Sequence, residues 1–135
     1  MNYIERLKEI AEELEGTSVE PIEEDEVKKI RAKFPEIPEN YLKVLTEVGA
    51  GHFGEMRFSV YGGPIEALDI FDPITATELE QYLFVGDDFS GWMVGFDTNE
   101  SPWRLREFDH QKIFATLSDA PTSFAEFLCK ELSRE

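Results

Sequence analysis

The hydrophobic period of this chain changes at Gly49, and that change limits the folds open to it. Upstream, apolar residues recur every three or four positions. Downstream they alternate or run in short blocks divided by glycine and proline. A 3.6-residue period draws one stripe along a helix, whereas a period of two sends neighbours to opposite faces of a strand. Three helices, a run of strands and a closing helix predict an α+β architecture rather than alternating βα units.

In YIERLKEIAEELE (3–15), Ile4, Leu7, Ala11 and Leu14 share a face, and Gly16 is placed to end the helix. A second helix is predicted from Ile22 to Phe34, with Glu23, Glu24, Asp25 and Glu26 at the end where the dipole favours anions and lysines toward the other. Pro35 breaks it. Pro38 is suited to be the first residue of a third helix, whose Tyr41, Val44, Leu45 and Val48 stripe runs to Gly49. GAGHFGE then reads as a glycine-rich loop. It lacks the lysine of a phosphate-binding loop and follows a helix, not a strand. MRFSVYGG predicts a strand with Met56, Phe58 and Val60 on one side, and residues 64–81 a loop with one helical turn. YLFV (82–85), WMVGFD (92–97), WRLREF (103–108) and KIFATL (112–117) are predicted strands, with Trp92, Val94 and Phe96 on one face. Their connections are too short for parallel crossovers, so pairing should be antiparallel. TSFAEFLCKELSRE closes the chain as a helix, with Ser123 and Glu126 as a capping box and Phe124, Phe127, Leu128 and Leu132 as its apolar stripe. Cys129 sits beside that stripe as a partly buried small side chain rather than a reactive thiol. The expected fold is one α+β domain over residues 1–135: N-terminal helices, a mainly antiparallel twisted sheet, and a C-terminal helix packed on it.

A single cysteine permits no intrachain disulfide. The chain opens MNYIERLKE, unlike a signal peptide, and no apolar run approaches a membrane span, so a cytoplasmic protein is expected. The net charge of −16 among 135 residues is the unusual quantity. Such a chain repels nucleic-acid phosphates and anionic membranes and attracts basic partners.

Within YLFVGDDFSGWMVGFD the GDDFSG segment reads as a hairpin connection, where Asp87 and Asp88 hydrogen-bond their own backbone. Adjacent carboxylates on one turn share an environment, whereas acid/base chemistry needs two that split the pKa values. Asp87, Asp88, Asp97 and Asp109 match no calcium-loop spacing. His52 and His110 have no partner at zinc spacing and read as surface or loop residues. No G-x-S-x-G serine motif is present. The expectation is therefore a protein that is not an enzyme, with no cofactor and no metal.

FPEIPENYLKVLTEVGAG resembles the first signature of the SUKH (Smi/Knr-like) superfamily: a helix, an Ile-Pro step, an aromatic-containing helix and a small-residue loop. YLFVGDDFSGWMVGFD resembles the second, a strand, a Gly-Asp turn and a strand ending in Asp. REFDHQ and SFAEFL resemble the strand-turn and C-terminal helix that follow, so the likeness spans residues 20–133 in order. The resemblance implies an α+β fold without catalytic residues, used by bacterial members as immunity proteins that neutralise toxin domains, often nucleases. Eukaryotic relatives act as interaction proteins in cell-wall assembly and signalling. The implied partner is a basic toxin domain, and the expected contacts are Asp87, Asp88, Glu100 and Asp109, with Phe89 and Trp103 as aromatic anchors. Trp103 suits a place in the core equally well.

Overall fold

The computed structural model describes residues 2–109, 114–117 and 123–133, at 109 and 114–117 for the backbone alone. Along the chain run α1 (Tyr3–Glu13), β1 (Ser18–Glu20), α2 (Glu24–Lys33), α3 (Glu39–Lys43), β2 (Ala50–Phe53), β3 (Phe58–Glu66), α4 (Pro73–Glu78), β4 (Tyr82–Asp87), β5 (Trp92–Asp97), β6 (Arg104–Asp109), β7 (Phe114–Leu117) and α5 (Phe124–Leu132). Each strand pairs antiparallel with its sequence neighbours, giving a meander ordered β1 to β7. The architecture is α+β, with the C-terminal helix against the sheet.

Among the described residues, α1, α2, α3 and α5 cover one face. In α1, Asn2 caps the Glu5 amide at 3.2 Å, and Ile4, Leu7 and Ile10 are buried. Ala11 and Leu14, expected in that stripe, only flank it. Val27 and Ile30 bury α2. Pro38 precedes α3 as its cap rather than opening it, and Glu39, the first helical residue, reaches back to Arg31. After Lys43 the helix widens into a π-turn, Val44–Val48, closed by the Gly49 amide on the Val44 carbonyl at 2.8 Å. Val44, Leu45 and Val48 are all buried there. Ser123 caps α5 by accepting from the Glu126 amide at 3.1 Å, while the Glu126 carboxylate turns to Lys130. Phe124, Leu128 and Leu132 are each at most 5% exposed, and full burial of such a side chain contributes about 1.5–3 kcal/mol. Cys129 donates to the Tyr3 carbonyl at 3.4 Å, and burial pushes its thiol pKa up.

Two segments expected as connections are strands. Ser18–Glu20 pairs with Ala50–Phe53 inside GAGHFGE. Gly51 has φ +135°, and a Cβ there would collide with the Ser18 carbonyl, so glycine permits the close pairing. Met56 is not on a strand; it sits in the β2–β3 turn at φ +55° with 71% exposure, and β3 begins at Phe58.

The segment 64–81 also holds more structure than one helical turn. It extends β3 to Glu66, forms a 3-10 turn at Ala67–Asp69, and enters α4, whose first amides (Ile74, Thr75) donate to Asp72 at 3.0 Å. These elements lie on the sheet face opposite the helices and bury a second core: Ala67, Ala76, Leu79, Phe84, Met93 and Phe108. Covering both faces explains why YLFV and WMVG are apolar at nearly every position. Asp97 is buried at 3% exposure, accepting from Arg106 Nε at 2.9 Å, Asn99 N at 3.0 Å and Gln81 Nε2 at 3.2 Å. No helix among the described residues is long and apolar enough to cross a membrane.

Candidate partner-binding surface

Asp88 folds the β4–β5 turn around one of its oxygens. Its Oδ1 accepts from the Ser90 amide and hydroxyl, both at 2.9 Å, and from the Trp92 amide at 3.1 Å. Asp87 Oδ1 accepts from the Phe89 amide at 2.9 Å. Phe89 takes φ +67° and Gly91 φ +108°, which closes the connection. The carboxylates hold their own backbone, as the glycine-bounded spacing predicts.

They differ in their remaining oxygens. Asp87 Oδ2 receives the Tyr61 hydroxyl of β3 at 2.6 Å. Burial, and then this hydrogen bond to a carboxylate, raises the Tyr61 pKa. Asp87, expected as a partner contact, is thus also tied to the sheet through β3. Asp88 Oδ2 accepts from no donor among the described residues and is available to a partner.

The other expected contacts divide between two ends of the sheet. Trp92 pairs with Asp109, and Asp97 with Arg104, so Asp109 belongs at the turn end while Glu100 and Trp103 belong at the other. Five strand steps separate the ends by about 17 Å. Glu100 is engaged with Arg104 at 3.3 Å and Arg106 at 3.5 Å. Trp103 packs at ring distances of 6.3 Å from Phe34 and 6.2 Å from Phe96, partly buried against the core, and its buried Nε1 has no hydrogen-bond partner among the described residues. The side chain of Asp109 and all of His110 lie outside the described residues. His52, on β2, is exposed and lies 5.4 Å from the Phe89 ring.

Trp92, which sequence reasoning placed on one face with Val94 and Phe96 and did not single out, is the residue it missed. It does share a face with Val94 and Phe96, but those are 1% and 3% exposed and Trp92 is 44% exposed. As the first residue after a tight turn it lies beyond the cover of α5, and that position was the available signal. Trp92 lines a cleft of about 520 Å³ between the sheet end and α5. Phe58 and Val94 form the floor, Phe127 a wall, and Asp88, Glu107 and Glu131 the acidic part of the lining. A second groove, of about 580 Å³, lies at the other end, lined by Phe34, Leu68, Leu83 and Trp103 with Glu80 beside them.

Charge and exposed apolar surface concentrate in the same part of the chain. Between Arg57 and Arg104 there is no lysine, arginine or histidine, but nine carboxylates. Of the exposed large apolar side chains among the described residues, Leu68, Ile74, Phe89 and Trp92 fall in this stretch, and only Met56 outside it. Cations gather instead in the helices, where Lys8, Lys29, Arg31 and Lys33 each meet a glutamate. No group of three or more His, Cys, Asp or Glu among the described residues could hold a metal ion. No family model, curated protein or solved structure matches this chain.

Proposed function

We propose that this protein is a non-catalytic immunity protein of the SUKH type, which acts inside the cell by binding a basic toxin domain one-to-one. The observation that carries the reading is the cation-free stretch from residue 58 to 103, where nine carboxylates coincide with four exposed apolar side chains. Carboxylates alone keep a protein dispersed, and exposed apolar groups alone weaken the folded surface. Together they suit a partner that supplies both positive charge and a complementary apolar patch. The ordered resemblance of residues 20–133 to the SUKH signatures supports the same reading. The Trp92 end of the sheet is its contact surface, because Asp88, Phe89 and Trp92 converge there.

Co-expression with a basic toxin domain encoded beside this gene tests the proposal. Growth rescue with a 1:1 complex is expected, and loss of rescue on Trp92→Asp at unchanged folded-protein level. A toxin that kills equally in the presence of the folded protein would overturn it. The groove beside Leu68 favours one other reading: a scaffold or regulatory module that seats a peptide or small ligand without a toxin. That reading predicts complexes that survive Trp92→Asp and are lost on Leu68→Asp.

A further inference from the structure

The groove at the far end of the sheet from Trp92 has two sides of different charge. It crosses the end where β4 begins and β5 finishes, with Leu83 and Trp103 in its lining. On the helix side stands Phe34. Lys33 lies over that ring at 5.4 Å and meets Glu66 at 3.3 Å, so charge on this side is matched. On the other side lie α4 and the 3-10 turn before it. Pro73, Ala76, Thr77 and Glu80 border the groove at i, i+3, i+4 and i+7, which is one face of α4 carried on past its end. Leu68 borders it at 66% exposure, and Ile74, at 79%, shares the adjoining stripe with Glu78. Asp69, Glu78 and Glu80 are exposed and have no ion-pair or hydrogen-bond partner among the described residues.

Apolar side chains left in water beside unmatched carboxylates suit an occupant that brings both an apolar group and positive charge. A second copy of this chain does not qualify, because two molecules at −16 repel each other. An anionic membrane is repelled in the same way. A neutral apolar segment would cover Glu80 without supplying a counter-charge. We propose that this groove docks a basic amphipathic segment of another protein. A bulky apolar side chain of that segment enters between Phe34 and Leu68, and its lysines or arginines lie along α4 toward Glu80, Glu78 and Asp69. The site is separate from the Trp92 surface, and its occupancy rests on the groove alone rather than on the toxin reading.

The two tryptophans report the two ends of the sheet separately, because each indole N–H gives its own resonance in a 15N-labelled sample. The probe is an acetylated, amidated octapeptide of leucines and lysines, with the leucines at i, i+3, i+4 and i+7. Titrated into the full chain, it should shift the Trp103 indole signal saturably and leave that of Trp92 in place. An all-lysine octapeptide should bind about tenfold more weakly or worse, since burying one leucine side chain is worth about that much affinity. Glutamates in place of the lysines should abolish binding. On the protein, Leu68→Ser and Glu80→Gln change exposed groups and should leave the remaining spectrum unchanged. Glu80→Gln should weaken binding about threefold, as for a partly exposed ion pair, and Leu68→Ser by more. Trp92→Ala should have no effect. Equally tight binding of the all-lysine peptide, a shift at Trp92 in place of Trp103, or unchanged affinity in Leu68→Ser would each overturn the docking site. Toxin rescue is a separate readout: the proposed function fails if the intact protein does not rescue, whether or not the octapeptide binds.

Discussion

Tyr61 donates to Asp87 at 2.6 Å across the β3–β4 pair, whereas Asp88, one residue on, gives one oxygen to its own turn. Two adjacent aspartates should therefore respond differently to mutation. Hydrogen bonds to charged acceptors contribute about 1.5–3 kcal/mol, so Asp87→Ala should cost roughly that in urea unfolding. Asp88→Asn, which keeps the turn acceptor, should stay within about 0.5 kcal/mol. Equal effects would show that Tyr61 does not depend on Asp87. Tyr41 sits at 0% exposure against Phe96 and Phe124, and its hydroxyl has no hydrogen-bond partner among the described residues. Burial alone raises its pKa, and burial followed by Asp87 raises that of Tyr61. In both cases the folded state holds the phenol neutral longer than the unfolded chain does. The unfolded chain releases its protons first, near the ordinary value of 10.0, so this stabilisation is complete below that pH and lost as pH rises above it. Unfolding free energy should thus fall on the alkaline side. Tyr41→Phe and Tyr61→Phe should each flatten the fall, and Tyr41→Phe should cost nothing at neutral pH because it removes an orphaned hydroxyl. A wild-type profile flat through the tyrosine range would contradict this account.

Among the elements, α5 and the β5–β6 pair hold the molecule from two sides. Phe124 is 1% exposed between Tyr41 and Phe127, and its truncation to Ala should cost about 3–5 kcal/mol. Phe127 has one side open toward the Trp92 cleft, so Phe127→Ala should cost clearly less; a reversed order in thermal unfolding would mean the helix is rotated. Across the sheet, Asp97→Ala leaves the Arg106 guanidinium, whose side chain is 12% exposed, with Glu100 alone at 3.5 Å. Breaking a buried pair from one side should cost about 3 kcal/mol. The helices were legible because each carries its own stripe: Val27 and Ile30, Tyr41 and Val44, Phe124 and Leu128 all repeat within one segment. β1 and β2 were not, since Ser18, Glu20, Gly51 and His52 carry no alternating apolar signal and their strand form comes from each other. The second core was hidden for a related reason. Ala67, Ala76 and Leu79 are small or isolated in sequence and become a surface only when α4 folds back over Phe84 and Met93. Of the candidate site, the turn was readable from its glycines and aspartates. The position of Trp92 just after the turn was a local signal of its exposure, whereas the burial of Trp103 comes from Phe34 and Phe96, which local pattern does not bring together.

For the molecule as a whole, one quantity acts on stability and on association with opposite signs. The net charge of −16 repels itself within the fold and attracts a basic partner from outside it. Salt weakens both effects, because the Debye length shrinks from about 10 Å at 0.1 M to about 3 Å at 1 M. Thermal stability should therefore rise with added salt, while association with a basic toxin domain slows. The slowing should appear mainly in the association rate, since long-range steering acts before contact. Aromatic packing at Phe89 and Trp92 survives screening and should leave dissociation nearly unchanged. Stopped-flow association across ionic strength, run beside melting curves in the same buffers, reads both signs on one sample. Nucleic acid should not bind at any salt, because its phosphates meet the nine carboxylates between Arg57 and Arg104 with no basic residue among them. A rise in stability without a salt-dependent association rate would mean the acidity disperses the protein and does not recruit a partner. Measurable binding to DNA or RNA would remove the electrostatic account altogether, since nothing in that stretch of the chain could neutralise a phosphate.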